Sequence, residues 1–123
     1  MKICTDIEQS KKLAEFLPKE NADMYWSMDE IPFLAFPVND IVTDWEYAME
    51  NGMLPAWSLA ALLVAADFIT INLFYIDERG YWVVSATIHN STKLCTKYES
   101  AMAFNPVDAC YELIIKLHEQ NLL

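Results

Sequence analysis

The chain has 123 residues, 54% of them hydrophobic and 21% charged, and a formal charge of −10. The length suits one domain spanning residues 1–123, and the apolar content excludes wholesale disorder, because burial on that scale offsets the entropy lost on folding. Eighteen Asp and Glu against eight Lys and Arg speak against direct nucleic-acid binding, which rests on phosphate neutralisation, and against docking on an anionic membrane.

In chain order, Thr5 and Glu8 have the spacing of a capping box. The helix they open should run to about Leu17, where Pro18 blocks continuation. Ile7, Leu13, Ala14 and Leu17 give it a modest apolar stripe. Residues 19–56 are irregular and rich in aromatics. Met24-Tyr25-Trp26 and Phe33 to Phe36 suit short strands, with Pro32 and Pro37 confining the second to an edge or a loop. Asp44 to Glu50 suits one or two helical turns closed by Gly52.

Leu59 to Ala66 is apolar all round, the pattern of a helix buried on most sides, with Ser58 as its N-cap. From Phe68 the period changes to two, and Asp77-Glu78-Arg79-Gly80 supplies a turn. A return strand follows over Tyr81 to Ile88, with Trp82, Val84, Ala86 and Ile88 on one face. A second turn at His89 to Thr92 leads to a third strand near Lys93 to Glu99. The last element is a helix with Asn105 as N-cap, Pro106 at its first position and Asp108 in its positive first turn. Val107, Cys110, Ile114 and Leu117 form its apolar stripe, widened by Tyr111 and Leu113, and Glu112 and Lys116 are spaced as an i,i+4 ion pair. The expected fold is α+β: a three-stranded antiparallel meander packed with a buried central helix and the C-terminal helix, plus a short N-terminal helix.

Cys4, Cys95 and Cys110 are odd in number, and no Cys-x-x-Cys spacing occurs, so a reducing cytoplasm is expected. The first residues lack the run of about 7–15 apolar residues of a secretory signal. The apolar stretch from Met53 to Ile76 is interrupted by Pro55, Asp67 and Asn72, which speaks against a membrane span.

The motifs of chemistry are missing. His89 and His118 have no metal-ligand spacing, and Asp40, Asp44 and Glu46 lack the pattern of a calcium loop. Cys110 and His118 lie about 12 Å apart along one helix, too far for a direct hydrogen bond. Two glycines cannot build a phosphate loop. No cofactor is expected.

The charge is uneven. Between Lys19 and Arg79 there is no Lys or Arg, while Glu20, Asp23, Asp29, Glu30, Asp40, Asp44, Glu46, Glu50, Asp67, Asp77 and Glu78 all fall there. Both ends are close to neutral, so the whole net charge comes from this span, a polarity able to steer a basic partner. Tyr25, Trp26, Trp45 and Tyr47 sit among these acids. With Asp29, Glu30, Asp40, Asp44, Glu46 and Glu50 they form a candidate protein-interaction surface. The competing reading makes the aromatics the outer shell of a small core.

Four stretches carry a resemblance: Cys4 to Leu13, Ala22 to Trp26, Pro55 to Leu59 with Leu62 and Leu63, and Asp108 to Leu113. Together they resemble a family of small proteins carried by prophages and mobile elements of gut Bacteroides-type bacteria. That family has no established activity, so the resemblance implies a setting, a cytoplasmic accessory protein of a mobile element, and assigns no site residue. The expected function is a non-enzymatic acidic protein-interaction module. Two alternatives stand beside it: a DNA mimic acting on a nuclease or DNA-binding protein, and a small enzyme using a carboxylate or Cys95. A homodimer through the strand near Lys93 to Glu99 is a further possibility, should that strand be a free edge.

Overall fold

The computed structural model describes residues 2–27, 33–35, 53–65, 70–90 and 95–122. Within them the fold is α+β, with three α-helices and two antiparallel sheets. The chain divides into two compact units, residues 3–61 and residues 1–2 with 62–123.

In the first unit, α1 (Ile7–Ala14) is opened by a capping box one residue later than the sequence suggests. Asp6 Oδ1 accepts from Gln9 N at 2.8 Å, and Gln9 Oε1 accepts from Asp6 N at 3.1 Å. Thr5 cannot serve as the cap because its hydroxyl is committed to the interior. Its Oγ1 lies 2.8 Å from Ser10 Oγ and accepts from Trp57 N at 3.1 Å. The helix is also shorter than expected, ending at Ala14 rather than near Leu17.

Strand β1 (Met24–Ser27) lies between β2 (Phe33–Ala35) and β3 (Met53–Ala56), both antiparallel to it. Its register places Met24 opposite Ala56 and Trp26 opposite Leu54. Pro55 fits in β3 because that strand is at the edge of this sheet, where a missing N–H breaks no ladder. Cys4, Met24 and Ala56 form a buried cluster with Trp26 packed on it, and α1 packs on β3. The expected helical turns at Asp44 to Glu50, with Gly52, lie outside the described residues.

Helix α2 (Leu59–Ala65) follows. Ser58 caps it as expected, its Oγ accepting from Ala61 N at 3.2 Å. The helix is not buried all round. Ala61 and Leu62 are buried, but Ala60 is exposed and Val64 is 63% exposed, so apolar composition alone overstated its burial.

In the second unit, β4 (Thr70–Ile76), β5 (Tyr81–Asn90) and β6 (Cys95–Ala103) form a sheet in that order, each strand antiparallel to the next. A 3-10 turn, Asp77–Arg79, joins the first two. Gly80 closes it at φ 72°, a left-handed conformation that glycine adopts without a Cβ penalty. β5 runs through His89 and Asn90, where the sequence leads one to expect a turn. β6 continues past Glu99 to Ala103.

Helix α3 (Pro106–Glu119) packs on β5 and β6. Asn105 Oδ1 accepts from Asp108 N at 2.8 Å, and Lys2 Nζ lies 2.7 Å from Asp108 Oδ1. Val107, Cys110, Leu113, Ile114 and Leu117 are buried, as the stripe predicts, and so are Val84, Ala86 and Ala101 of the sheet. The expected Glu112–Lys116 pair does not form, because Lys116 Nζ donates to Ser100 O at 2.7 Å. The helix ends in a Schellman motif. Asn121, at φ 58°, donates to His118 O at 3.0 Å, and Leu122 N donates to Leu117 O at 2.9 Å.

Candidate functional site

Of the residues proposed as an interaction surface, Asp29, Glu30, Asp40, Asp44, Trp45, Glu46, Tyr47 and Glu50 lie outside the described residues. Tyr25 and Trp26 are described, and neither presents a free aromatic face. Tyr25 is 8% exposed in the central strand of its sheet, so it belongs to the interior. Trp26 is half-buried against the Cys4–Met24–Ala56 cluster, and its Nε1 donates to Thr5 O at 3.1 Å. Tyr25 is thus taken up by burial, and Trp26 in part by the cluster it packs on. One acid of the span has a structural task. The Asp23 carboxylate accepts from Ser58 N at 2.9 Å and from the Ser58 hydroxyl, which holds the start of α2.

The buried side chains offer little reactivity. Cys4 and Cys110 are reduced thiols and both are buried. Burial pushes the Cys110 thiol up to about 12, so at neutral pH it is a small hydrophobe and no nucleophile. Among the described residues no three His, Cys, Asp or Glu side chains come together as a metal would require. No helix of the described residues is long and apolar enough to cross a membrane.

Exposed apolar side chains gather on the sheet of the second unit, at the end of β5 and β6 next to α3. Alternation sends Val84 and Ala101, register partners, to the face on which α3 packs. It sends Val83 and Met102, also partners, to the opposite face. Met102 is 55% exposed, and Phe104, just past the strand, is 70% exposed. The Phe104 ring stacks on Tyr81, with centroids 4.6 Å apart and planes 22° from parallel. Stacking two aromatic rings on the water-facing side fixes them as a rigid apolar platform.

Beside this platform is an open concavity of about 380 Å³, lined by Val83, Ser100, Ala101, Met102 and Lys116. Among the described residues Lys116 supplies its only charge. One of its ammonium hydrogens is spent on Ser100 O, and no carboxylate pairs with it among the described residues. Among the described residues the lining offers van der Waals surface from Val83, Ala101 and Met102, the Ser100 hydroxyl, one ammonium group and strand backbone.

Nothing in the sequence reading nominated Met102, Phe104 or Tyr81. The usable signal was the alternation of β6 carried on through Ser100-Ala101-Met102-Ala103, which ends on an aromatic immediately before the Asn105 cap. No protein-family model, curated protein or solved structure matches the chain.

Proposed function

We propose that the chain is a non-enzymatic, acidic protein-interaction module, working in the cytoplasm as an accessory protein of a mobile element. The reading takes β4, β5 and β6 as an antiparallel meander covered on one face by α3 and presenting the other to a partner. The observation that carries it is the pairing of Met102 and Phe104, both more than half exposed, with Phe104 stacked on Tyr81. Large apolar side chains gathered on one surface are a usual mark of an interface, whereas single exposed ones are ordinary. The mobile-element setting is supported by the sequence resemblance alone. The charge of −10 would keep the free chain soluble and favour basic partners at a distance, with apolar contact following at close range.

The experiment is affinity capture from a bacterial extract at low and at moderate salt, with the wild type and a Met102→Ser/Phe104→Ser double variant side by side. A partner held in stoichiometric amount by the wild type and lost by the double variant supports the reading. Equal capture by both, with unchanged melting temperature, places the interaction elsewhere and overturns the assignment of this face.

A further inference from the structure

We propose that the outer edge of β6 is a strand-addition site, taking an extended segment of a partner protein that carries a carboxylate side chain for Lys116 and apolar side chains for the platform of Val83 and Met102. This rests on the reading of the chain as an interaction module and specifies how its partner is held.

Three observations converge. First, β6 ends the order β4-β5-β6, so among the described residues one side of a nine-residue strand has no neighbour. Such an edge presents a row of unpaired N–H and C=O groups, a template for a further strand. Second, Ser100 O accepts from Lys116 Nζ, a side chain of α3, at 2.7 Å, which we read as a carbonyl turned to the outer edge and away from β5. In an antiparallel pair the outward-pointing residues alternate, so Met102 shares that orientation. Third, the concavity lies at this same stretch of β6, with Val83 and Met102 giving it apolar walls.

The charge selects the occupant. Among the described residues Lys116 is the only charged group in the lining, and the Ser100 carbonyl is a poor substitute for an anion. An incoming strand with a carboxylate on the α3 side would draw the ammonium to itself and free Ser100 O for an N–H of the added strand. A second copy of this chain, paired antiparallel through its own β6 near Ser100, would instead bring two Lys116 side chains towards each other, a like-charge contact that disfavours it. Lys116 thus guards the edge against strands in general and admits those with the matching acid.

The test uses the whole chain and a fluorescein-labelled, end-blocked peptide of about seven residues, valine alternating with threonine and with a central glutamate. Companion peptides carry glutamine or lysine at the centre. The expected result is saturable binding, seen by anisotropy, in the order glutamate, glutamine, lysine. Lys116→Gln should weaken the glutamate peptide about two- to fivefold and leave the glutamine peptide unchanged. Met102→Pro removes an outward N–H, which an edge strand tolerates, and should abolish binding, whereas Met102→Ala should retain most of it. Peptide binding should also slow hydrogen exchange at the Ser100 and Met102 amides.

Absence of saturable binding, equal binding by Met102→Pro and Met102→Ala, or protection confined to other strands would each overturn the proposal. So would light scattering that shows a dimer abolished by Met102→Pro. Partner capture that survives Met102→Pro but is lost in Met102→Ser/Phe104→Ser would overturn strand addition and leave the interaction module standing.

Discussion

Thr5 and Trp57 bind each other reciprocally: Thr5 N donates to Trp57 O at 2.9 Å, and Trp57 N donates to Thr5 Oγ1 at 3.1 Å. Both residues are fully buried, and Ser10 Oγ adds a third contact to the Thr5 hydroxyl at 2.8 Å. The start of α1 is thereby tied to the segment that leads from β3 into α2. The pair matters because a backbone amide buried without its acceptor is expensive to desolvate.

This pairing sets an order among variants. Thr5→Val leaves the Trp57 amide with no acceptor and strips Ser10 of its hydroxyl partner, and should cost about 1–3 kcal/mol. Ser10→Ala leaves the Thr5–Trp57 pair intact and should cost about 0.5–1.5 kcal/mol. Urea denaturation of the two variants decides it, and a larger loss in Ser10→Ala would contradict the account.

Gly80 is required for its backbone angle and not for space, since nothing lies within 4 Å of where a Cβ would stand. Gly80→Ala should therefore cost about 1–2 kcal/mol, the penalty for a left-handed L-residue. Gly80→Asn should cost less, because asparagine tolerates that region. Equal losses in the two would point to a contact instead of a conformational cost.

Asn105 both caps α3 and braces its first turn, since its Nδ2 donates to Asp108 Oδ2 at 2.7 Å. Asn105→Ala should lower stability by about 1 kcal/mol. Asn105→Asp retains a capping acceptor but sets a second carboxylate beside Asp108, so it should recover only part of that loss at pH 7.

Helix α3 was legible because its signals are local: an Asn-Pro start, an acid in the first turn and a stripe that its own periodicity defines. The turn at Gly80 was legible for the same reason. Strands β1 and β2 were legible as short strands, but their pairing with β3 was not, because Met24 pairs with Ala56, 32 residues further along the chain, and no short-range pattern fixes such a register. The cap of α1 slipped by one residue because Thr5-x-x-Glu8 and Asp6-x-x-Gln9 both satisfy the spacing. Only the tertiary partner Trp57 decides between them, by taking the Thr5 hydroxyl. The site followed the same division. Tyr25 and Trp26 have an acidic neighbourhood in sequence, yet Tyr25 is buried and Trp26 packs on the Cys4–Met24–Ala56 cluster. Met102 and Phe104 carry no motif, and their exposure follows from which face of β6 α3 covers.

The Cys110 thiol gives a pH signature. Its ordinary value of 9.0 is pushed up to about 12 by burial, so the folded state holds this proton more tightly than the unfolded chain. The thiol's contribution is therefore fully present below pH 9 and is lost as pH rises from about 9 towards 12. Stability should fall across that window more steeply in the wild type than in Cys110→Ala, measured by denaturant titration at a series of pH values. At pH 8 the native thiol should resist alkylation that the unfolded chain undergoes at once. Rapid alkylation in the folded protein would show that the site is open.

The central claim is that the exposed platform at Phe104 meets a protein partner, and site-specific photocrosslinking tests it most directly. A benzophenone amino acid placed at Phe104 in the whole chain should yield one discrete adduct from cell extract. The same group placed at Glu119, exposed on α3, should not yield it, and Met102→Ser should diminish it. Identical adduct patterns from both positions, or none from Phe104 under conditions where Glu119 gives one, would contradict the account.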